Sequence, residues 1–533
     1  MKQYRLVALL ALLVITIIGG LFFLKKQMVW PFKSSAQISE EQNAPKEIDQ
    51  VRIGASWLMG VYPENSTENY TVNFNSSVFE PLVKFNELGI VEPCLAESWS
   101  NPDELTWRFH LSPDAKFSDG TPVTSEDVKF TYDYIKIDKK LQMADLIPTV
   151  DKIEIIDSKT IAFKTTVPDP VILNRFATNL LIMSKADVEK NELSNHLGSG
   201  PYKIGETNDK EVKFIRNENY WKEKPKAKEV TLKLISDETE RLKALENNEI
   251  DLAMYITEQK NIDELKTIVS GKDLQLLKMS HGNGIIYLSL DTTRAKTPYI
   301  DLPQNPLKDI RVRQAIEEGI NVSEIMRSLP SGARIANQLV PVGVFGYNPA
   351  IKRLEYNKEN AKNLLTEAGY KDGFTMTIDY MSVNPNAKTT MDLIASQLSE
   401  IGITAKLNPI EDMDQFYAKT DERDTTTYRT GYSSDSRDAY EVLDLIIHTP
   451  SEDHGIYNLG YSNTEVDTLI EQANKTIDQK YRLKYLQEAM QKSMDDVAVI
   501  PLFEEMDIYG YSNNLILKSR SDGMIRLEDI AGK

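Results

Sequence analysis

Residues 105–134 read LTWRFHLSPDAKFSDGTPVTSEDVKFTYDY. Asp119-Gly120-Thr121-Pro122 has turn chemistry, because glycine takes positive φ freely and Asp and Pro shape the flanks. Thr124-Ser125-Glu126-Asp127 then supplies a helix cap with acids in the first turn. Val128, Tyr132 and Ile135 recur at helical spacing, so one face of that helix is a core face.

Outward from this stretch, strand and helix patterns mix. Lys152–Thr166 alternates Ile153, Ile155, Ile161 and Phe163 around Asp157-Ser158-Lys159, a hairpin signal. Val230, Leu232 and Leu234 alternate, as do Phe374, Met376, Ile378 and Tyr380. Helical stripes run through Val312, Ala315, Ile316 and Ile320, through Ala361, Leu364, Leu365 and Ala368 before Gly369, and through Met391, Ile394, Ala395, Leu398 and Ile401 before Gly402. Val466, Leu469, Ile470 and Ala473 form another. The fold class is mixed α/β, with helices denser after residue 305. These stripes are core faces and carry no chemistry.

The chain has 533 residues, beyond what one hydrophobic core supports. Its 41% apolar and 27% charged residues exclude a disordered chain and a polytopic membrane protein. Net charge is −18, which disfavours nucleic acid, since phosphate contacts need clustered Lys and Arg. One cysteine, Cys94, excludes a disulfide framework and a multi-cysteine metal site. The 24 tyrosines suit large wet interfaces and clefts, or the rims of several cores.

Residues 6–24, LVALLALLVITIIGGLFFL, are uncharged and flanked by Lys2, Arg5, Lys25 and Lys26. Nineteen residues at ~1.5 Å each span roughly the hydrocarbon thickness. Ser34-Ser35-Ala36 is a weak cleavage site, so residues 1–28 are expected to be an uncleaved membrane anchor and 29–49 a flexible tether. The bulk of the chain is expected outside the cytoplasm.

Catalytic patterns are missing. The sequence has no His-Glu-x-x-His, no Gly-x-Ser-x-Gly and no Gly-x4-Gly-Lys loop. His448 and His454 are six apart, the wrong spacing for one helical face. The expectation is a protein without catalytic residues, metal ligands or cofactors.

Glu92–Trp99 (EPCLAESW) followed by Phe117-Ser118-Asp119-Gly120-Thr121-Pro122 and Glu126-Asp127-Val128 resembles the signature of the bacterial extracellular solute-binding proteins of family 5, the binding components of peptide and nickel ABC importers. Further stretches match in the family's order: Ser199-Gly200-Pro201-Tyr202, Asp309–Ile316 (DIRVRQAI), Tyr356–Tyr370 (YNKENAKNLLTEAGY, with Lys358 for the usual Pro) and Leu398–Thr404. The resemblance runs from about Val51 to about Phe503. These motifs are mostly structural; Arg311 and Arg313, flanking an apolar stripe, read as a solvated helix face or an ion pair within a domain.

Tyr428–Leu443, YRTGYSSDSRDAYEVL, resembles the family's ligand-contact segment. The match implies that Asp435 meets a peptide's α-ammonium group, with a carboxylate in a water-poor cleft selecting a free N-terminus. Gly431 and Ser433 would pair with an extended peptide through backbone groups, as an added strand does. Tyr432 stands for the family's Trp as a pocket wall, and Arg429 is a candidate for a peptide carboxylate. Asp438-Ala439 replaces the usual acid-Pro, and Arg437 could pair with Asp435 and quench it. Trp57, Tyr62 and Asn65 are candidates on the amino-terminal side of the cleft.

The family implies a two-lobe, periplasmic-binding-protein-like α/β fold (type II, cluster C) with an extra subdomain, beside the N-terminal transmembrane helix. Lobe 1 would take 50–280, with subdomain 73–195, lobe 2 would take 281–499, and 500–533 would return to lobe 1. The implied function is a monomeric, non-enzymatic extracytoplasmic binding protein that delivers short peptides to an ABC permease in the membrane. Nickel chelates, haem or sugars are alternative ligands. A peptide-sensing receptor and an anchored hydrolase are rivals that a signalling gene neighbour or peptide turnover would reveal.

Overall fold

The computed structural model describes residues 44–533, except 59, 61–68, 138–143, 145, 146, 192–196, 330–332, 384 and 435. The expected anchor and the tether up to residue 43 lie outside the described residues, and no described helix is long and apolar enough to cross a membrane. Strand β1 (Ile48–Ala55) begins two residues inside the expected tether, because Ile48 already pairs with Ala227.

Two antiparallel hairpins form a four-stranded sheet: β2 (Ala96–Asp103) with β3 (Thr106–Leu111), and β4 (Val150–Asp157) with β5 (Thr160–Thr165). The second is the expected hairpin, with Ile153 opposite Phe163 and Ile155 opposite Ile161. Its turn is held by Asp157, whose carboxylate accepts from the Lys159 amide at 2.8 Å. Between β3 and β4 comes α1 (Ser125–Ile137), whose Val128, Tyr132 and Ile135 are buried. Before it, Gly120 has φ +94° and Asp119 Oδ1 accepts from the Thr121 amide at 2.9 Å. The Thr124 amide and hydroxyl both donate to Asp127, at 2.9 and 2.7 Å. The turn and cap read from the sequence are therefore in place. Helix α2 (Ile172–Asn179) packs Ile172 and Phe176 into the same core.

Two short pairs, Val83–Phe85 with Val91–Pro93 and Leu515–Ile516 with Ala531–Gly532, stand apart, and eleven strands join one mixed sheet among the described residues. After β1, in chain order, they are β6 (Tyr202–Thr207), β7 (Glu211–Arg216), β8 (Ala227–Leu234), β9 (Leu252–Ala253), β10 (Leu274–Leu290), β11 (Ala333–Ile335), β12 (Phe374–Met381), β13 (Ile403–Ile410), β14 (Thr427–Ser433) and β15 (Val499–Ser512). Across the sheet the order is β13-β12-β14-β10-β15-β9-β1-β8-β7-β6, with β11 on β15. The parallel pairs, β1 with β8 and β9 and β12 with β13 and β14, are separated by helical crossovers or long excursions, as parallel pairing requires.

Among the described residues β10 and β15 are the longest strands, and their pairing joins the two ends of this order. Leu274–Ser280 pairs with Met506–Ser512, and Ile285–Ser289 pairs with Val499–Glu504, with a register shift between Ser280 and Ile285. One core lies on β1, β8 and Phe214. Another lies at the far end, where α3 (Ile310–Gly319), α4 (Lys358–Glu367) and α5 (Pro385–Glu400) bury Val312, Ile316, Leu365 and Ile394 against β10 and β12. On the opposite face of β10 at that end, α6 (Ala439–Val442), α7 (Thr464–Lys475) and α8 (Gln479–Asp495) pack on Tyr287.

Arg313 departs from the expected solvated face or ion pair. It is buried and donates to the carbonyls of Leu307, Lys308 and Val497, at 2.8, 3.0 and 3.0 Å, stitching α3 to the approach to β15. Arg311 does pair, with the cap residue Asp309 at 2.5 Å.

Candidate functional site

β14 enters the sheet between β12 and β10 but keeps both neighbours for only part of its length. Thr427, Tyr428 and Arg429 pair with Ile378, Asp379 and Tyr380 of β12. From Thr430 to Ser433 the strand pairs with β10 alone, Ser433 standing opposite Gly284. Thr430–Ser433 thus presents a one-sided backbone edge among the described residues, and Gly431 on it is exposed. An unpaired strand edge is a template for another extended chain.

Arg429 stands where the two-sided pairing ends. Its side chain is 7% exposed, and its Nε and Nη2 find no hydrogen-bond acceptor among the described residues. The nearest carboxylate, Glu505, stops 3.8 Å from Nη2, outside hydrogen-bond range. Burial pulls the guanidinium down from its usual pKa, with Glu505 opposing. A buried cation with unmet N–H groups is a receptor for a carboxylate.

Tyr432 is half-buried, its ring 5.8 Å from that of Tyr457. Its hydroxyl donates to Glu441 at 2.8 Å. Glu441, on α6, also accepts from the Ser434 hydroxyl at 3.2 Å, the Ser436 amide at 3.0 Å and the Ser436 hydroxyl at 2.6 Å. One carboxylate therefore shapes the whole segment after β14. The segment ends at Asp438, which caps α6 by accepting from the Tyr440 amide at 2.9 Å. Asp435 lies outside the described residues, as do Tyr62 and Asn65.

Trp57 sits just beyond β1. Its ring stacks on Tyr255 at 5.1 Å, and Tyr255 in turn meets Tyr509 of β15 at 5.3 Å. Tyr432 pairs with Ile285, which faces Glu504, whereas Tyr509 lies five residues further along β15. That offset is roughly 17 Å of strand, so the Trp57 stack and the Arg429–Ser433 edge are distinct stations along one crossing rather than one cluster.

Sequence reasoning missed Glu441, the Asp438–Arg482 pair and Tyr255. Glu441 and Asp438 stand in the segment read as ligand-contacting, and an acid three residues past Asp438 was the available signal. Tyr255 has φ +53°, which no sequence pattern announces. Among the described residues no group of three or more His, Cys, Asp or Glu is arranged to hold a metal. His448 and His454, six apart in sequence, stack at 4.3 Å, and His454 Nδ1 lies 2.7 Å from Asp444.

A sequence model of the bacterial extracellular solute-binding proteins, family 5 (middle part), matches residues 91–453. The chain is 26% identical over 501 residues to the heme-binding protein A of Haemophilus influenzae, covering 86% of this chain and 87% of that protein. It is 26% identical over 471 residues to the dipeptide-binding protein of Escherichia coli, covering 81% and 84%. Among solved structures, HbpA2 from Haemophilus parasuis superposes with a TM-score of 0.80 at 23% identity, covering 91% of this chain and all of that one. The chain has the mixed α/β two-lobe fold of these binding proteins.

Proposed function

Because the chain belongs to the bacterial extracellular solute-binding proteins of family 5, we propose that it is the extracytoplasmic binding component of an ABC importer and that its cargo is a short peptide with a free N-terminus. The observation that carries the peptide reading is the one-sided edge of β14 ending at Arg429. A peptide laid antiparallel along Thr430–Ser433 would bond through its main chain, which makes affinity tolerant of side chains. Its carboxylate would reach the unmet N–H groups of Arg429, and its ammonium group would face Asp435. Tyr432 would wall one side-chain pocket, and Trp57 on Tyr255 would wall the opposite lobe.

On this reading lobe 1 comprises residues 50–280, with subdomain 73–195 and the return 500–533, and lobe 2 comprises 281–499. The register shift at Ser280–Ile285 supports that division and serves as the hinge. A ligand closes the lobes only by the margin with which it prefers the closed form. The apolar run 6–24 would hold the protein at the membrane near its permease, raising the effective concentration for docking. The protein would act as a monomer and break no bond.

Calorimetric titration with trialanine, N-acetyl-trialanine and trialanine amide tests the proposal. Binding of the first, with clear weakening for both blocked forms, is the expected pattern. Equal binding of all three, or of none beside tight binding of haem or a nickel chelate, discards the peptide reading.

A further inference from the structure

β15 carries three acids, Glu504, Glu505 and Asp507, beside the register shift in β10. Glu504 is buried and pairs with Arg334 of β11 at 3.2 Å. Successive residues of a strand point to opposite faces, so Glu505 and Asp507 share the other face. Asp507 is buried, whereas the Glu505 side chain is 24% exposed. Ala333, opposite Glu505 on β11, adds only a methyl group on that flank. The cation beside Glu505 is Arg429, whose Nη2 lies 3.8 Å from Glu505 Oε1.

A guanidinium and a carboxylate that close on one another sit at about 2.7–2.9 Å, as Arg52 and Asp251 do, with two contacts at 2.9 Å. Arg429 and Glu505 stay beyond hydrogen-bond range. They stand on different strands, β14 and β15, with β10 between them, so the sheet fixes their backbones apart. Together the two side chains carry no net charge. A cargo carboxylate seated on Arg429 would leave two carboxylates sharing one guanidinium, with Asp507 adding a third acid on the same face. Like charges so close repel strongly where little water screens them. A cargo that brings a cation as well restores neutrality. In a peptide, the side chain nearest the carboxylate is that of the C-terminal residue, and lysine carries its charge on a flexible four-carbon stem.

We propose that Glu505 is a specificity-determining residue that receives a cationic side chain on the C-terminal residue of the cargo, so that the preferred cargo is a short peptide ending in lysine, ornithine or arginine. This rests on the peptide reading above and adds to it a choice of side chain. The edge of β14 reads the main chain, Arg429 reads the carboxylate and Glu505 reads the charge beside it. Peptides with an apolar or acidic C-terminal residue bind more weakly, because their carboxylate meets Glu505 uncompensated.

Calorimetry on the full-length chain in detergent compares Ala-Ala-Lys with Ala-Ala-norleucine, which keeps the four-carbon stem and lacks the charge. The lysine peptide should bind about tenfold tighter, the low end for a hydrogen bond to a charged group. Glu505→Gln keeps the shape and drops the charge; it should weaken the lysine peptide about tenfold and tighten the norleucine peptide. Glu505→Ala should repeat the pattern. A misfolded variant would weaken both peptides, so opposite shifts mark the loss of the charge. Equal binding of the two peptides to wild type, a lysine preference that survives both substitutions, or equal weakening of both peptides by each substitution overturns the proposal and leaves the peptide reading standing. Failure of both peptides to bind wild type overturns the peptide reading, and this proposal with it.

Discussion

The carboxylate of Asp438 grips the guanidinium of Arg482 at 2.5 and 2.8 Å, and both side chains are at most 3% exposed. The pair ties the end of the segment that follows β14 to α8, and Arg482 is further fixed by the Ala473 carbonyl at 3.1 Å. Such a pair adds little net stability against an apolar equivalent, but breaking one side leaves an uncompensated buried charge. Arg482→Met should therefore destabilise the protein by about 3–5 kcal/mol, read as a lower urea midpoint. Replacing both residues, Asp438→Asn with Arg482→Met, should recover part of the loss. A single variant as stable as wild type would contradict this account.

On the proposed reading, Arg429 and Asp435 would divide recognition of the two peptide ends. Arg429→Ala should weaken trialanine binding about tenfold to a hundredfold, the range for a lost charge-assisted hydrogen bond of ~1.5–3 kcal/mol. It should leave trialanine amide nearly unaffected. Asp435→Ala should abolish the preference for a free over an acetylated N-terminus. Calorimetry of each variant with each peptide reads both effects, and unchanged affinity for the free-amine peptide would remove Asp435 as the anchor.

The Gly89–Gly343 contact makes a steric test of closure. Gly89→Ala puts a methyl group where the Gly343 carbonyl stands, and both glycines have positive φ, +78° and +96°. The expected result is weaker ligand binding through faster release, measured by stopped-flow fluorescence. The association rate should change little, since most affinity differences among related complexes lie in dissociation.

Cys94 titrates out of its ordinary range. Burial, with the nearby Glu80 carboxylate, pushes its thiol up to about 12. The folded state therefore keeps this proton while the unfolded state releases it near 9. With fewer protons bound in the unfolded state, stability falls as pH rises through that window. Up to about 4 kcal/mol of pH-dependent stability should separate wild type from Cys94→Ala in slope between pH 9 and 12. Denaturant titrations at stepped pH read it, and parallel slopes would refute the assignment.

What the sequence disclosed depended on range. The hairpin around Asp157-Ser158-Lys159 and the stripe Val128, Tyr132, Ile135 are repeats of two and of three to four residues, so both were legible and both are in place. The family signature likewise sits in local turn and cap chemistry, where Asp119 and Asp127 bond within a few residues of themselves. Other contacts join residues hundreds of positions apart, such as Asn174 with Ser436. Nothing in local periodicity encodes them. Arg313 shows a subtler limit: a charged residue beside an apolar stripe reads as solvated, yet the uncapped carbonyls at Asp496 and Val497 drew it inward. Trp57 was singled out, but its partner Tyr255 was not, since stacking across the sheet leaves no mark on either neighbourhood.

The paired strands β10 and β15 have a mechanical consequence. A ribbon two chains wide resists stretching and sliding, because each would break its ladder of hydrogen bonds, but it flexes readily where the register slips between Ser280 and Ile285. On the proposed lobe division, relative travel of the halves would thereby be reduced to rocking about one axis. A permease docking against the protein would then have a single angle to read.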